Sequence, residues 1–299
     1  MSNANLSRNR KIYEEYLNSS ASLYNIAKKY NISRQRVQQI IHQECFNHLS
    51  IDNSQKDREK AKDEAVLLRE KGSLHLAEDI FKKVLEWDKA HNNYRGYADV
   101  VGHLRIVYVL LSRRAKDNHI KKRYLQKAKD SLESVLKDKR LSKDSLAILE
   151  AHYVGVFTSL AELTRKKEER EKLYLKAEKI LRKALKNFPG SIAHKAWPLG
   201  RLAFIQYNLK KYDEAFSTAH LAEECIYKGY LEEFKNPSGE SLAKFSAWLP
   251  KNLLIKALVC KETNRDLLAN YYARSVLKLS GPAYQLKAVR REARKILSN

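Results

Sequence analysis

Residues 23–41, LYNIAKKYNISRQRVQQII, contain two short segments with helical periodicity on either side of an asparagine. Ser22 and Ser33 stand just before the segments, where serine is favoured as a helix N-cap. The apolar positions repeat at helical spacing and are Leu23, Ile26, Ala27 and Tyr30, then Val37, Ile40 and Ile41. Asn31 tolerates the left-handed conformation that a tight turn requires. The stretch predicts two helices crossing at a tight turn, with Ile32 filling the corner.

The outward face of the second predicted helix is polar and carries no carboxylate. Its side chains are Ser33, Arg34, Gln35, Gln38, Gln39 and His42. Arginine and glutamine form paired hydrogen bonds with guanine and adenine edges in the DNA major groove. The pattern therefore predicts a helix-turn-helix whose second helix reads bases. Contacts to the DNA backbone are predicted from Arg8, Arg10, Lys11, Lys28, Lys29 and Arg36. A plain helical hairpin is the alternative.

The run SRQRVQQI at 33–40 resembles the recognition helix of sigma-factor region 4 and related regulators, in which Ser or Thr, Arg and a V-x-Q-I ending recur. The resemblance implies a helix-turn-helix DNA-binding domain over residues 1–50. Its first helix is predicted from about Ser7 to Leu17, and the second helix of the hairpin continues towards Leu49. Residues 51–57 then form a linker or the cap of the next helix, because Ser54 and Asp57 fit a capping box.

The composition favours an almost entirely helical protein. Nine Gly and five Pro among 299 residues are few, and alternating Val/Ile/Thr runs are missing. No apolar run approaches the roughly 20 residues that span a bilayer, and the N-terminus lacks the apolar core of a secretion signal. Cys45, Cys225 and Cys260 show no C-x-x-C spacing, which favours core positions in a reduced compartment. We expect a cytoplasmic protein with no membrane partner.

From about residue 58 a pattern with helical spacing recurs. It begins with an apolar residue, has Ala three positions later, and has small or apolar residues four and seven positions after that Ala. The copies are Leu74/Ala77/Phe81/Val84, Leu125/Ala128/Leu132/Val135, Tyr174/Ala177/Leu181/Ala184, Tyr212/Ala215/Ala219/Ala222 and the shorter Ala269/Ala273/Val276. The pattern resembles the second helix of tetratricopeptide (TPR) repeats, where the small residue lets paired helices pack closely. The leading alanines are 51, 49, 38 and 54 residues apart, so the repeat is irregular.

The sequence thus predicts an all-α protein with a TPR-like superhelix of helical hairpins, about five pairs, over residues 58–282. A basic capping helix is predicted within 283–299. The first helices of the pairs are predicted at 94–114, 145–165, 192–209 and 242–263. Pro198 should kink the third of these or mark its start, because proline cannot donate a backbone hydrogen bond.

The formal charge of +23 suggests a polyanionic partner. Residues 1–55 hold seven Lys/Arg against four Asp/Glu, so +20 lies in the remainder. Either the repeat region also contacts nucleic acid or an acidic partner, or solvated helix faces have filled with lysine. Tyrosines among bases, as in KKRYLQK at 121–127, fit the first interpretation, although Tyr174 and Tyr212 fall on packing positions.

No motif indicates an enzyme or a cofactor. Gly-rich phosphate loops, G-x-S-x-G and H-E-x-x-H are missing from the sequence. The spacing of His42, Cys45 and His48 cannot bring three ligands together from one straight helix, so no metal site is expected.

The predicted layout is similar to that of Gram-positive peptide-sensing regulators, which carry a DNA-binding domain followed by TPR-like repeats. The leading hypothesis is a sequence-specific transcriptional regulator that binds double-stranded DNA. Its repeats would bind a peptide or protein effector or form a homodimer. The alternatives are a scaffold that docks on partner proteins such as RNA polymerase, and an RNA-binding protein that uses the basic superhelix.

Overall fold

The computed structural model describes residues 3–19, 21–47, 54–188, 192–235, 240–280 and 286–298. Within these ranges the chain forms fourteen α-helices and one short 3-10 helix, and no strand occurs among them. The predicted all-α fold class is confirmed. The chain divides into two compact units, residues 1–107 and 108–299.

The first unit contains five complete helices and most of a sixth. They are α1 (Asn3–Asn18), α2 (Leu23–Lys29), α3 (Arg34–Asn47), α4 (Gln55–Lys71), α5 (Leu74–Ala90) and α6 (Tyr94–Arg114). Ser54 caps α4 by accepting a hydrogen bond from the Asp57 backbone N–H at 3.1 Å, as the capping-box pattern predicts. Helix α4 therefore already includes residues 55–57.

The second unit begins in the last turns of α6 and contains the remaining helices. They are α7 (Asn118–Leu136), α8 (Lys143–Leu163), α9 (Lys167–Lys186), a 3-10 turn (Ile192–Lys195), α10 (Ala196–Asn208), α11 (Tyr212–Lys235), α12 (Glu240–Glu262), α13 (Asp266–Leu279) and α14 (Lys287–Ser298). Consecutive helices pack as hairpins, with α9 on α8, α11 on α10 and α13 on α12.

The recurring alanine pattern marks the packed face of every second helix. In α5, α7 and α9 all four pattern positions are buried, and in α11 and α13 every alanine is fully buried. Tyr212 is half-buried, and its hydroxyl donates to Glu262 at 3.3 Å. Small side chains at the leading pattern position let the paired helices approach each other, as the sequence predicts. These residues are Ala77, Ala128, Ala177, Ala215 and Ala269.

Left-handed residues end several helices and turn the chain back. Gly72 follows α4 with φ of 86°, and Asn92, Lys210 and Asn264 adopt φ between 54° and 61° after α5, α10 and α12. The backbone N–H groups beyond these residues return to carbonyls of the preceding turn, as from Arg265 to Cys260 at 2.8 Å. The turns at Gly72, Lys210 and Asn264 join the packed pairs α4–α5, α10–α11 and α12–α13.

The proline at 198 marks the start of a helix. It is the third residue of α10 and follows a 3-10 turn, so its missing N–H lies where no intrahelical bond is made. Helices α6, α8 and α12 agree with their predicted positions to within two residues. Pro250, for which the sequence predicts no role, lies inside α12.

The prediction that no apolar segment is long enough to span a bilayer is wrong for helix α8. By length and composition residues Lys143–Leu163 could cross one. In this fold α8 is a central helix, because α7 and α9 both pack against it and its small and apolar residues, such as Ala151, Val154 and Phe157, are buried. Its apolar composition is explained by burial on two sides.

Candidate nucleic-acid interface

Three local contacts build the turn between α2 and α3. Ser22 Oγ accepts a hydrogen bond from the Asn25 backbone at 3.2 Å, and Ser33 Oγ accepts one from Arg36 at 3.1 Å. Asn31 adopts the left-handed conformation with φ of 51°. The Ile32 backbone N–H donates to the Ala27 carbonyl at 3.0 Å, and the Ile32 side chain is half-buried. The caps and the turn residue agree with the sequence prediction.

Helices α1, α2 and α3 pack around one small apolar core. Both other helices contact α3. The buried side chains are Ile12, Tyr13 and Tyr16 of α1, Ile26 and Ala27 of α2, and Val37, Ile40, Ile41 and Cys45 of α3. Since apolar side chains fill the inward face of α3, the polar residues on its opposite face are turned outward.

All six predicted base-reading residues are exposed. Ser33, Arg34, Gln35, Gln38, Gln39 and His42 have their side chains in solvent along the first two and a half turns of α3. Glu44 is the carboxylate of this helix, and its side chain is buried instead. The exposed face of α3 is therefore free of negative charge up to His42.

Part of this face is already hydrogen-bonded within the chain. The guanidinium of Arg36 is half-buried and donates to Gln39 Oε1 at 3.2 Å, and Ser33 is occupied as the N-cap. Arg34, Gln35 and Gln38 make no hydrogen bond or ion pair with any described residue. These three side chains keep their full donor and acceptor capacity for a ligand.

The predicted backbone-contacting residues are also at the surface. Arg8, Lys11 and Lys28 are exposed. Arg10 pairs with Glu14 at 3.0 Å, and Lys29 pairs with Glu15 at 2.8 Å. The hydrogen bond from Lys29 holds the pKa of the Glu15 carboxyl below its usual value. Exposed pairs of this kind contribute little to stability, so both cations can exchange their partner for a phosphate.

Helix α1 and the residues just after it pack on the α4–α5 hairpin. The hydroxyl of Tyr13 donates to Glu64 of α4, Tyr16 bonds Ser73 at 2.8 Å, and Lys71 donates to the Ser19 carbonyl. Burial, followed by the hydrogen bond to Glu64, raises the pKa of Tyr13. The sequence pattern does not predict this packing. The row on α3 is exposed in the structure with this packing in place.

Helix α3 does not bring His42 and Cys45 of the His42, Cys45 and His48 pattern together as metal ligands. Cys45 is fully buried in the core, and burial raises its pKa to about 12, whereas His42 is exposed. His48 lies outside the described residues. The other cysteines, Cys225 and Cys260, are buried among apolar side chains, which confirms the prediction that they fill the core.

A further functional candidate in the second unit was missed. Arg201 of α10 is half-buried, and its Nε atom is buried without a hydrogen-bond partner. The sequence signal was available, because Arg201 is the single charged residue between Lys195 and Lys210. Arg201 is the single charged side chain of α10, and a partly buried charge without a partner is costly to the folded state.

No protein-family model and no curated protein matches this chain. Among solved structures it is similar to the "TPR2AB-domain:pHSP90-complex of yeast Sti1", at 15% sequence identity over 98% of both chains and with a TM-score of 0.30. A similarity this low adds no argument on function. The class defined by the structure itself is that of an all-α protein of helical hairpins.

Proposed function

We propose that the protein is a sequence-specific DNA-binding regulator and that α2 and α3 form its helix-turn-helix. The observation that carries the proposal is the exposed, carboxylate-free row on α3, in which Arg34, Gln35 and Gln38 lack partners in the described chain. An α-helix fits the major groove of B-DNA, and these side chain types recognise guanine and adenine there.

The surroundings of the row also suit a duplex. Lys28 and Lys29 end α2, and Arg8, Arg10 and Lys11 lie on the exposed side of α1. Cations on the helices next to a recognition helix neutralise phosphates and fix its register, without reading sequence. In this proposal α3 supplies the base contacts, and α1 and α2 supply the backbone contacts.

The test measures binding of the full chain to duplexes that it has enriched from a random library, at one fixed salt concentration. Arg34→Ala and Gln38→Ala should each weaken binding about fivefold to 150-fold, which corresponds to about 1–3 kcal/mol per base contact. Lys28→Ala should weaken binding to all duplexes alike.

The matched control is Arg123→Ala and Gln126→Ala on α7. These side chains are also exposed, at a spacing of three residues instead of four, and they lie in the basic stretch 121–127 that nucleic-acid contact by the repeat region would use. Each change therefore removes the same groups from outside the proposed helix-turn-helix. Equal losses in the α7 and α3 variants would contradict the proposal. Stronger competition by structured RNA than by duplex DNA would favour the RNA-binding alternative.

A second part of the proposal concerns association of two copies through α11 and α13. These helices expose large apolar side chains, namely Leu221, Tyr227 and Leu231 on α11 and Leu267, Leu268, Tyr271 and Leu279 on α13. Leu267 is 88% exposed. Phe216 of α11 and Tyr272 of α13 pack edge to face with ring centroids 6.2 Å apart, so the two helices lie close together.

The charge distribution favours a second copy as the occupant of this surface. Residues 108–211 hold 26 Lys/Arg against 11 Asp/Glu, whereas residues 212–299 hold 14 against 10. Two strongly basic chains repel each other least where their charge is nearly balanced and apolar surface is exposed.

Sedimentation of the full chain should show a dimer, and Leu267→Glu with Tyr271→Glu should return it to a monomer. A monomeric wild-type chain would contradict this part and leave DNA binding to be judged separately.

A further inference from the structure

Arg201 is a cation that the fold holds without a counter-ion. Its side chain is half-buried on α10, and no described residue forms a hydrogen bond or an ion pair with it. Its guanidinium lies over the Trp197 ring, 5.8 Å from the ring centroid. Buried arginines are normally paired, and an unpaired one is costly to the folded state.

The neighbours of Arg201 add positive charge. Burial, and after it the charge of Arg113, lowers the pKa of Arg201 to about 10, and Glu162 offsets this only in part. Glu162 itself pairs with Arg113 at 3.7 Å, and both side chains are exposed. The set of two guanidinium groups and one carboxylate has a net charge of +1, which one more anionic group would neutralise.

The groups on Arg201 that remain open are suited to an anion. Only Nε is fully enclosed without a partner, so the two Nη groups reach solvent. The guanidinium donors are arranged as a planar fork that matches a carboxylate or a phosphate with two parallel hydrogen bonds. Trp197 lies against this guanidinium and is in turn packed by His152, whose ring centroid is 4.5 Å away.

We infer that Arg201, with Arg113 beside it, forms a binding site for one anionic group, a carboxylate or a phosphate, on the helical-hairpin unit. The site does not depend on DNA binding by α3. An effector that carries such a group would neutralise the orphaned guanidinium and order the side chains around Trp197. Since Arg201 is unpaired without the ligand, replacing it by an apolar residue should not destabilise the fold.

The experiment uses the full chain labelled with 5-fluorotryptophan, which gives fluorine NMR signals for the three tryptophans. The variant Trp197→Phe assigns the signal of Trp197. Sodium phosphate and sodium acetate are titrated separately, with sodium chloride adjusted to keep the ionic strength constant. We expect a saturable shift of the Trp197 signal and no comparable shift at Trp87 or Trp248.

Variants connect the shift to the proposed groups. Arg201→Met should abolish it, and Arg201→Lys, which keeps the charge without the fork, should weaken it at least tenfold. Arg113→Gln, at an exposed position, should weaken it at least threefold. Arg170→Gln removes an exposed arginine of α9 and should change nothing.

The two titrations separate the sources of the anion. Saturation by phosphate alone supports a phosphoryl group, saturation by acetate alone supports a carboxylate, and saturation by both supports a site for either. A shift that never saturates, that moves all three tryptophans together, or that survives in Arg201→Met would overturn the inference.

Discussion

A left-handed residue joins the helices of both the α4–α5 hairpin and the α2–α3 pair, yet the two pairs differ in whether an arginine is bonded within the chain. Arg58 of α4 is fully buried and donates to both carboxylate oxygens of Asp88, at 3.0 and 2.7 Å. On α3, Arg34 is exposed and has no partner in the described chain. The first arginine is occupied by the fold, and the second is available to a ligand.

This difference shows how to separate structural from functional polar residues in a protein with many charges. A charged group whose partner is supplied by the chain stabilises one arrangement of helices. A group that the chain leaves unpaired, either exposed as Arg34 or half-buried as Arg201, has its hydrogen-bonding capacity left for something else. Residue type and net charge alone do not distinguish these cases.

The largest expected effect is at the occupied arginine. Asp88→Ala should lower the free energy of unfolding by about 3–5 kcal/mol, because Arg58 would lose its buried counter-ion and keep only the more exposed Glu59. Urea denaturation measures this loss. Glu59→Ala is the control, since Glu59 also bonds Arg58 at 2.8 Å but is 43% exposed. Glu59→Ala should lower the free energy of unfolding by less than about 1 kcal/mol. Equal losses in the two variants would show that the buried ion pair stabilises the fold no more than the exposed one.

A smaller effect is expected at the turn that presents α3. Asn31→Val should cost about 1–2 kcal/mol, because a β-branched side chain is strained in the left-handed conformation. Asn31→Gly should differ from wild type by only a few tenths of a kcal/mol. Thermal unfolding compares the two variants. If valine were tolerated as well as glycine, the turn would not be held in this conformation in solution.

The smallest effect is a pH dependence in the second unit. Glu178 accepts from Arg182 at 2.7 Å and from Lys211 at 2.9 Å. Burial raises the pKa of Glu178, but these hydrogen bonds outweigh burial and hold the pKa below its usual 4.5. The ion pairs of Glu178 therefore stabilise the fold fully when the pH is above the pKa of Glu178 in the unfolded chain. This stabilisation is lost as the pH falls through the lower pKa of Glu178 in the folded protein.

The variant Glu178→Gln should flatten this dependence. As the pH falls below about 4.5 the wild type should lose more stability than the variant, as measured by urea denaturation at each pH. Parallel curves for the two proteins would show that Glu178 is not ion-paired in solution.

The sequence predicts the helices and their packed faces well, because these depend on local periodicity. The alanines of α5 to α13 and the caps at Ser22, Ser33 and Ser54 are examples. It does not predict pairs that are distant in the chain, such as Arg58 with Asp88 or Tyr13 with Glu64, because tertiary packing selects them. Arg201 shows the same limit, since a missing partner is visible only once the helices are assembled.

The central claim is that the exposed row of α3 touches DNA bases, and site-specific photocrosslinking of the full chain tests it most directly. A benzoylphenylalanine replaces Gln35 in one protein and Gln126 of α7 in another, and each is irradiated with duplexes enriched by the wild type. We expect a covalent adduct with DNA from position 35 and none from position 126. An adduct from position 126 alone, or binding without any adduct from position 35, would contradict the account.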